Sequence, residues 1–425
     1  MVILLGSLFV LLIAGVPIAY ALGLSAAAYF AWVQPELMAV LPQRLFAGMN
    51  SYALIALPLY ILMGQIMNAT GITQRLIHFC LLFVGRFRGG LGLVNVGSSM
   101  LFGGISGSST SDTASIGSVL IPEMQKRGYP LAFASGLTVA SSTMGMIIPP
   151  SVPMVLYAVT AQESVGRLFL GGVVPGLMVG VFQLVAVFWL AARRDFPREE
   201  ISLQKGQMLT EVGKSLYVLV MPLFVVGAVV FGVATATESA GLGVLYAALI
   251  GAFALRHLTV RKLWRALVDS SQTSAKIMVI IAFSQVFVWV LALERAPEQL
   301  AVWITQLDLS PTALLLLFAV ITLGLGTFVD VSPAILLLTP IFLPVATQAG
   351  ISPTLFGVVF VAALAVGACT PPVGNCLNVC SLISGQRIGV IFYGALPFLA
   401  ANLVVLVLIA LFPELVLWLP SVLMK

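Results

Sequence analysis

The chain has 425 residues, of which 60% are hydrophobic and only 8% are charged. This composition excludes an ordinary soluble domain, in which about a quarter of the residues are charged. The formal charge of +5 comes from Lys and Arg in short connections between apolar stretches, which indicates membrane topology and excludes a nucleic-acid partner.

Apolar stretches that could cross a bilayer follow one another along the whole sequence. The first, 1–33, is longer than the apolar core of a signal peptide and has no basic residue before it, so we expect one permanent helix there. Since a spanning helix needs about 20 mainly apolar residues, roughly ten or more crossings are predicted. The stretches are 1–33, 51–69, 75–85, 131–162, 168–192, 216–255, 275–293, 353–383 and 388–412. The predicted fold class is an all-α, polytopic membrane protein.

The first interruption of this pattern is a run rich in glycine and hydroxyl side chains at 103–113, flanked by apolar residues on both sides. Irregular backbone at membrane depth is tolerated only where protein buries it or where it lines a cavity. The pattern therefore predicts a re-entrant helical hairpin over about 90–123, with the polar run at its tip.

The second interruption is the pair Pro149-Pro150 inside the apolar stretch 131–162. Proline lacks an N–H group and disfavours helix in the preceding residue, so the helix is expected to open there. Opening frees carbonyl oxygens that suit a small hard cation, and the half-helix beyond the break presents N–H groups to an anion.

The same two features recur after a polar linker at 196–214. A second hairpin is predicted over about 312–346, with the polar run 324–333 at its tip, and a second broken helix over about 353–383 contains Pro371-Pro372. Each half thus supplies one polar tip and one opened helix.

An internal repeat with an offset of 222 residues relates these features. Seven landmarks obey it: Gly104 and Gly326, Pro122 and Pro344, Gly128 and Gly350, Gly145 and Gly367, the two Pro-Pro pairs, Gly172 and Gly394, and Pro175 and Pro397. Duplicated membrane folds are typical of secondary transporters, whose repeats often have opposite topology and enclose a midplane site. We expect two inverted repeats, 1–195 and 215–425, although a larger helix bundle would also contain the duplication.

The repeat predicts paired cation sites, whereas residues that differ between the halves are candidates for binding the substrate. Ser108 corresponds to Asp330, and Ser151 corresponds to Val373. An ionisable residue inside an apolar stretch is costly and usually functional, which favours Asp330. Asp112 is as compatible with capping the following helix as with binding a ligand.

At these residues the chain resembles the large membrane subunit of tripartite ATP-independent periplasmic (TRAP) transporters over essentially its whole length. The motifs that carry the resemblance are 15–19, 106–117, 148–157, 330–344 and 370–374. The resemblance implies an elevator carrier in the bacterial inner membrane, with sodium as the coupling ion and no cofactor. It also implies two partners, a small four-helix membrane subunit and a periplasmic substrate-binding protein.

The resemblance further implies which residues form the sites. Sodium would be held mainly by backbone carbonyls around Ser106, Ser109, Gly145, Ile148, Pro149, Gly326, Gly367, Thr370 and Val373. The substrate-binding candidates are Ser108, Ser151, Asp330, Asn375 and Asn378. Cys376 stands where the family usually has Asn, which leaves the polar ligand at that position open.

Two other functions are weighed against this prediction. A stand-alone sodium–anion carrier of a related elevator fold would need no partners. An intramembrane serine protease would use Ser106 of the G-x-S-G run 104–107, but it needs a histidine base, and neither His78 nor His257 is suitably placed in the sequence. The substrate stays open among dicarboxylates, sugar acids, keto acids and sulfonates.

Overall fold

The computed structural model describes residues 1–194, 196, 205–306 and 309–424. Throughout these residues every regular element is a helix. Of the predicted linker 196–214, residues 197–204 lie outside the described residues, and the part from Lys205 onward belongs to a helix.

The N-terminal region contains five α-helices joined by short turns. They are α1 (Val2–Ile13), α2 (Ile18–Val33), α3 (Leu41–Met49), α4 (Ala56–Ala69) and α5 (Ile72–Val84). The prediction of one helix over 1–33 was wrong, because Gly15 has a φ of +79° and Pro17 precedes the first residue of α2. The chain reverses there, and α1 packs against α2.

The first repeat continues with a helical hairpin, a broken helix and one long helix. Hairpin 1 consists of α6 (Gly90–Ser106) and α7 (Ser109–Lys126). The broken helix consists of α8 (Leu131–Ser141), the single turn α9 (Met144–Ile147) and α10 (Val152–Ala161), and α11 spans Val165–Arg194. The axis bends by 40° between the α8–α9 unit and α10.

The second repeat has the same order. Four helices come first, α12 (Lys205–Val230), α13 (Ala236–Leu249), α14 (Val260–Leu293) and α15 (Ala296–Thr305). Hairpin 2 is α16 (Pro311–Gly326) with α17 (Val331–Gln348), and its broken helix is α18 (Pro353–Gly367) with α19 (Asn375–Ser384). The chain continues with α20 (Ile388–Leu411) and α21 (Glu414–Leu423).

Fewer helices than expected are long enough to cross a membrane alone. In the described part of the chain six have the length and apolar character for a span, or seven if the bent pair of α8–α9 and α10 counts as one. The expectation of about ten was too high for single helices, because several hairpin arms and half-helices are apolar helices of only 10–17 residues, namely α6, α16, α18 and α19.

The two repeats are interlocked and share one core. Helix α8 of the first repeat packs along α20 of the second so closely that a Cβ atom on Gly136 would lie 2.2 Å from the carbonyl carbon of Gly394. Two buried amides support this contact. Gln183 on α11 donates to the Asn402 carbonyl (2.7 Å), and Asn402 donates to the Thr143 hydroxyl (3.0 Å). The polar features of both repeats therefore belong to a single packed unit.

Candidate functional site

The tip of hairpin 1, called tip 1, lies against the first Pro-Pro break. We call this contact the first junction. Gly107, with a φ of +62°, makes the turn between the two arms. Its carbonyl accepts a hydrogen bond from the N–H of Val152 (3.3 Å), just beyond the prolines. A Cβ atom on Gly104 would lie 3.0 Å from the Pro149 carbonyl oxygen. Glycine therefore allows the hairpin backbone to approach the opened helix.

The break leaves carbonyl oxygens without partners, as the sequence indicated. The carbonyl oxygens of Ile148, Pro149 and Pro150 accept no hydrogen bond from any described residue. Both Pro-Pro peptide bonds, here and at 371–372, are cis. Carbonyl oxygens without hydrogen-bond partners are suitable ligands for a hard cation.

Asp112 lies at the centre of this first junction and was not among the predicted site residues. It is fully buried, and one carboxylate oxygen accepts a hydrogen bond from Ser106. Its other oxygen, Oδ2, has no hydrogen-bond partner among the described residues. This oxygen points at Gly145, where a Cβ atom would lie only 2.5 Å from it. Asp112 does not cap α7, because the N-cap residue is Ser108.

The second junction is the contact between the tip of hairpin 2, called tip 2, and the second Pro-Pro break. It repeats this backbone geometry without a buried acid. The Thr327 carbonyl at tip 2 accepts a hydrogen bond from the N–H of Val373 (3.1 Å), directly after the prolines. Gly367 and Gly326 pack backbone to backbone, and a Cβ atom on Gly326 would lie 3.3 Å from the Gly367 Cα atom. The position equivalent to Asp112 is Ala334. The two candidate cation sites therefore differ in charge.

Two predicted substrate residues meet at tip 2. Asp330 caps α17, since its Oδ1 accepts a hydrogen bond from its neighbour's N–H group (2.9 Å). The same oxygen accepts one from Asn375 (3.0 Å) at the start of α19. Asp330 is exposed, so its second carboxylate oxygen is available to other groups. Asn378 also lies at the surface and donates to the Val373 carbonyl (2.9 Å).

The remaining predicted residues fall into two groups. Ser108 is half-buried at tip 1, with its hydroxyl 3.1 Å from that of Thr110. Ser151, in contrast, is buried and bonds the Met146 carbonyl and, at 3.4 Å, the Met154 N–H group. Ser151 therefore stabilises the ends of the break, and the structure does not bring it to the surface that Asp330 occupies.

Cys376 connects the second repeat to the first junction. Its thiol is buried 3.2 Å from the hydroxyl of Ser109, a predicted sodium-binding residue. Cys376 of the second repeat thus contacts the candidate site of the opposite repeat. No sequence spacing indicated this contact, because the two residues are 267 positions apart.

The environment of Ser106 is not that of a protease nucleophile. Its hydroxyl bonds Asp112 and not a histidine. Of the two histidines, both His78 and His257 are exposed. A serine nucleophile requires a base within hydrogen-bond reach, which this residue does not have among the described side chains.

Comparison with known proteins identifies the group to which this architecture is similar. Residues 5–415 match the family profile described as "Tripartite ATP-independent periplasmic transporter, DctM component". The C4-dicarboxylate TRAP transporter large permease protein of Pseudomonas aeruginosa is 37% identical over 94% of this chain and 93% of its own length. The sialic acid TRAP transporter large permease of Vibrio cholerae is 34% identical over 97% and 96%.

A relative with a different substrate and a solved structure extend the comparison. The isethionate TRAP transporter permease of Oleidesulfovibrio alaskensis is 34% identical over 97% of this chain and 65% of its own length. The fold is similar to the crystal structure of the YdaH transporter of Alcanivorax borkumensis, with a TM-score of 0.61, 16% identity, and coverage of 88% of this chain and 87% of that one.

Proposed function

The chain belongs to the DctM family of TRAP transporter large permeases, and we propose that it takes up a small organic anion together with sodium ions across the bacterial inner membrane. The chain is a multi-pass membrane transport protein and not an enzyme. The observation that carries the proposal is the pairing of each hairpin tip with a Pro-Pro break, with Asp112 buried at one of the two junctions.

Sodium is proposed to bind at both junctions. At the first, the candidates are Ser106, Ser109, Gly145, Ile148 and Pro149 together with the free Oδ2 of Asp112, which would supply the negative charge that a buried cation requires. At the second, the candidates are Gly326, Gly367, Thr370 and Val373, where only backbone and hydroxyl oxygens are present. Thr370 and both prolines have carbonyl oxygens without hydrogen-bond partners in the described chain.

The substrate is proposed to bind between the tips. The relatives are named for C4-dicarboxylates, sialic acid and isethionate, which are all small organic anions. An anion at the tips would accept hydrogen bonds from Ser108, Asn375 and Asn378 and from the free N–H groups where α7 and α19 begin. Ser151 is proposed to stabilise the break. It would thereby affect substrate binding without contacting the substrate.

Asp330 would repel an anion unless a cation lies between them. Its exposed carboxylate at tip 2 therefore fits an arrangement in which sodium precedes the substrate. This order would prevent the empty carrier from binding the anion without its coupling ion.

Transport is proposed to follow an elevator mechanism with two partners. The unit that contains both hairpins and both breaks would move against the scaffold helices, which include α4 and α14. A small four-helix membrane subunit would extend the scaffold, and a periplasmic binding protein would deliver the anion.

Reconstitution in proteoliposomes tests the proposal. With the small subunit and the binding protein present, we expect uptake to require sodium and to rise more steeply than first order in sodium concentration. Equal uptake in choline or potassium buffer would overturn the sodium coupling. Full uptake without either partner would instead identify a stand-alone carrier.

A further inference from the structure

A polar cleft of about 460 Å³ separates hairpin 1 from the scaffold at some distance from both tips. Three separate segments form its walls. The corner between α4 and α5 contributes Asn68 and Thr73, and α7 contributes Ser115 and Ser118. The third wall consists of His257, just before α14, and Lys262 in the first turn of α14. No part of the proposed sodium or substrate site lies in these walls.

The charges in the cleft favour an anion. Lys262 and His257 are its only ionisable lining residues, both are basic and exposed, and none of the described residues that line it is acidic. A carboxylate or sulfonate in this space would meet an ammonium group without competition from a neighbouring Asp or Glu.

The start of α5 adds hydrogen-bond donors to the same wall. Its N-cap residue Gly71 provides no side-chain cap, so the first N–H groups of this 13-residue helix lack partners within the helix. Thr73, in the first turn, is only 5% exposed, lines the cleft and has no hydrogen-bond partner among the described residues. This hydroxyl is not among the sealed, unpaired polar atoms of the described chain, so it is open to the cleft and can bond a ligand there.

A row of serines connects the cleft with the tip of hairpin 1. Ser111, Ser115 and Ser118 follow each other at helical spacing on one face of α7, over about 10 Å at 1.5 Å per residue. Asn68 bridges the first two, because it donates to the Ser111 hydroxyl and accepts from the Ser115 hydroxyl, both at 3.0 Å. The Asn68 side chain thus stands between the tip and the cleft.

We propose that this cleft is a second binding site for the transported carboxylate or sulfonate, occupied between the hairpin tip and the cytoplasm. The inference rests on the proposed anion transport. The cytoplasmic assignment follows from Arg256, Arg261, Lys262 and Arg265 around the start of α14, since basic residues concentrate on that side. Displacement of Asn68 opens the path along the serines, and Lys262 then receives the anion.

Thiol labelling in the cleft tests this site without transport. Ser118→Cys places a single accessible thiol there, because the four native cysteines are buried. The purified full chain in lipid nanodiscs is labelled with the anionic 2-sulfonatoethyl and the cationic 2-trimethylammonioethyl methanethiosulfonate. We expect the ratio of anionic to cationic rates to fall about fivefold when Lys262→Gln is added, because one unit charge is removed. Succinate, sialic acid and isethionate are added in turn, and at least one of them should slow anionic labelling to a saturable limit.

Arg261→Gln is the matched control, because Arg261 is an exposed neighbour that does not line the cleft. It should change the ratio much less than Lys262→Gln. Gln74→Cys, on the opposite wall, provides a second reporter if Ser118→Cys does not fold. Equal effects of the two charge removals, or no protection by any of the three anions, would overturn the inference.

The labelling result is separable from sodium-driven uptake. Uptake that needs sodium together with labelling that ignores Lys262 refutes only the cleft site. Anion-selective labelling together with sodium-independent uptake refutes only the sodium coupling.

Discussion

At the scale of single residues, Asp112 differs from every other candidate because it places an ionisable carboxyl group in the core. The cost of burying an unpaired carboxylate is several kcal/mol, so such a residue is retained where something compensates it. Ser106 offers one hydrogen bond, and the free Oδ2 faces Gly145. A sodium ion at this oxygen would supply the missing compensation.

Asp112→Asn should therefore remove sodium binding at the first junction while it preserves the side-chain volume. We expect the sodium concentration for half-maximal uptake to rise by about tenfold or more, equivalent to about 1.4 kcal/mol for each factor of ten. The sodium-dependent rise in the thermal denaturation midpoint should also shrink, since a ligand stabilises only the state that binds it.

Asp269→Asn is the control for this change, because Asp269 is an exposed acid on α14. It should leave both sodium responses unchanged. If the Asp112 variant kept the sodium response of the unaltered protein, Asp112 would be a structural residue only.

At the scale of helices, glycine determines how closely a hairpin arm approaches an opened helix. A Cβ atom on Gly367 would lie 2.6 Å from the Leu323 carbonyl oxygen and 2.9 Å from the Gly326 backbone. Backbone atoms cannot move aside as a flexible side chain can. The contact between α16 and α18 consequently depends on the absence of a side chain at this position.

Gly367→Ala should separate the second hairpin from its broken helix. We expect a loss of about 1–3 kcal/mol in stability from the steric overlap, together with loss of sodium-dependent uptake. A lower denaturation midpoint in a purified sample and an uptake assay would measure the two effects.

Gly324→Ala is the matched change on the facing hairpin arm, where a Cβ atom would meet nothing within 4 Å. Because alanine favours helix, this variant should be neutral or more stable by about 0.5–1 kcal/mol. If both variants behaved alike, helix propensity and not packing at the junction would explain the result.

The sequence predicted these hairpins and breaks because glycine and proline act on the backbone where they stand. Pro149-Pro150 and the 222-residue offset required no knowledge of distant contacts. The Gly15 and Pro17 signals were also present, yet the length of the apolar run outweighed them in the prediction of one helix over 1–33. Asp112 was missed because its second neighbour, Gly145, belongs to another helix, and the cleft was missed because Ser118 and Lys262 meet only in three dimensions.

At the scale of the whole molecule, the two repeats are held together by surfaces and not only by the chain between them. The contact between α8 and α20 at Gly136 and Gly394 is backbone to backbone, and Gln183 and Asn402 bond across it. Within the predicted linker, Phe196 packs on Phe133 and Tyr129 of the first repeat.

Two fragments divided within the linker, 1–200 and 201–425, should therefore assemble when they are produced together. We expect them to purify as a complex and to retain sodium-dependent uptake, because the buried contacts between repeats remain intact. A division within the tip of hairpin 1, after Gly107, should abolish uptake, since it cuts the first junction. Failure of the linker fragments to associate would show that covalent connection is required for folding.

The backbone contact between Gly136 and Gly394 also has an energetic consequence for the gradient that the carrier can sustain. If each junction binds one sodium ion, as proposed, and both junctions travel as one body, two sodium ions would cross for each anion and their driving forces would add. The accumulation ratio at equilibrium then scales with the square of the sodium concentration ratio, so a tenfold sodium ratio supports about a hundredfold anion ratio, near 2.8 kcal/mol, before any membrane potential. By holding the two junctions together, the close packing of these two glycines would thus determine the lowest external anion concentration from which the cell can still take up the anion.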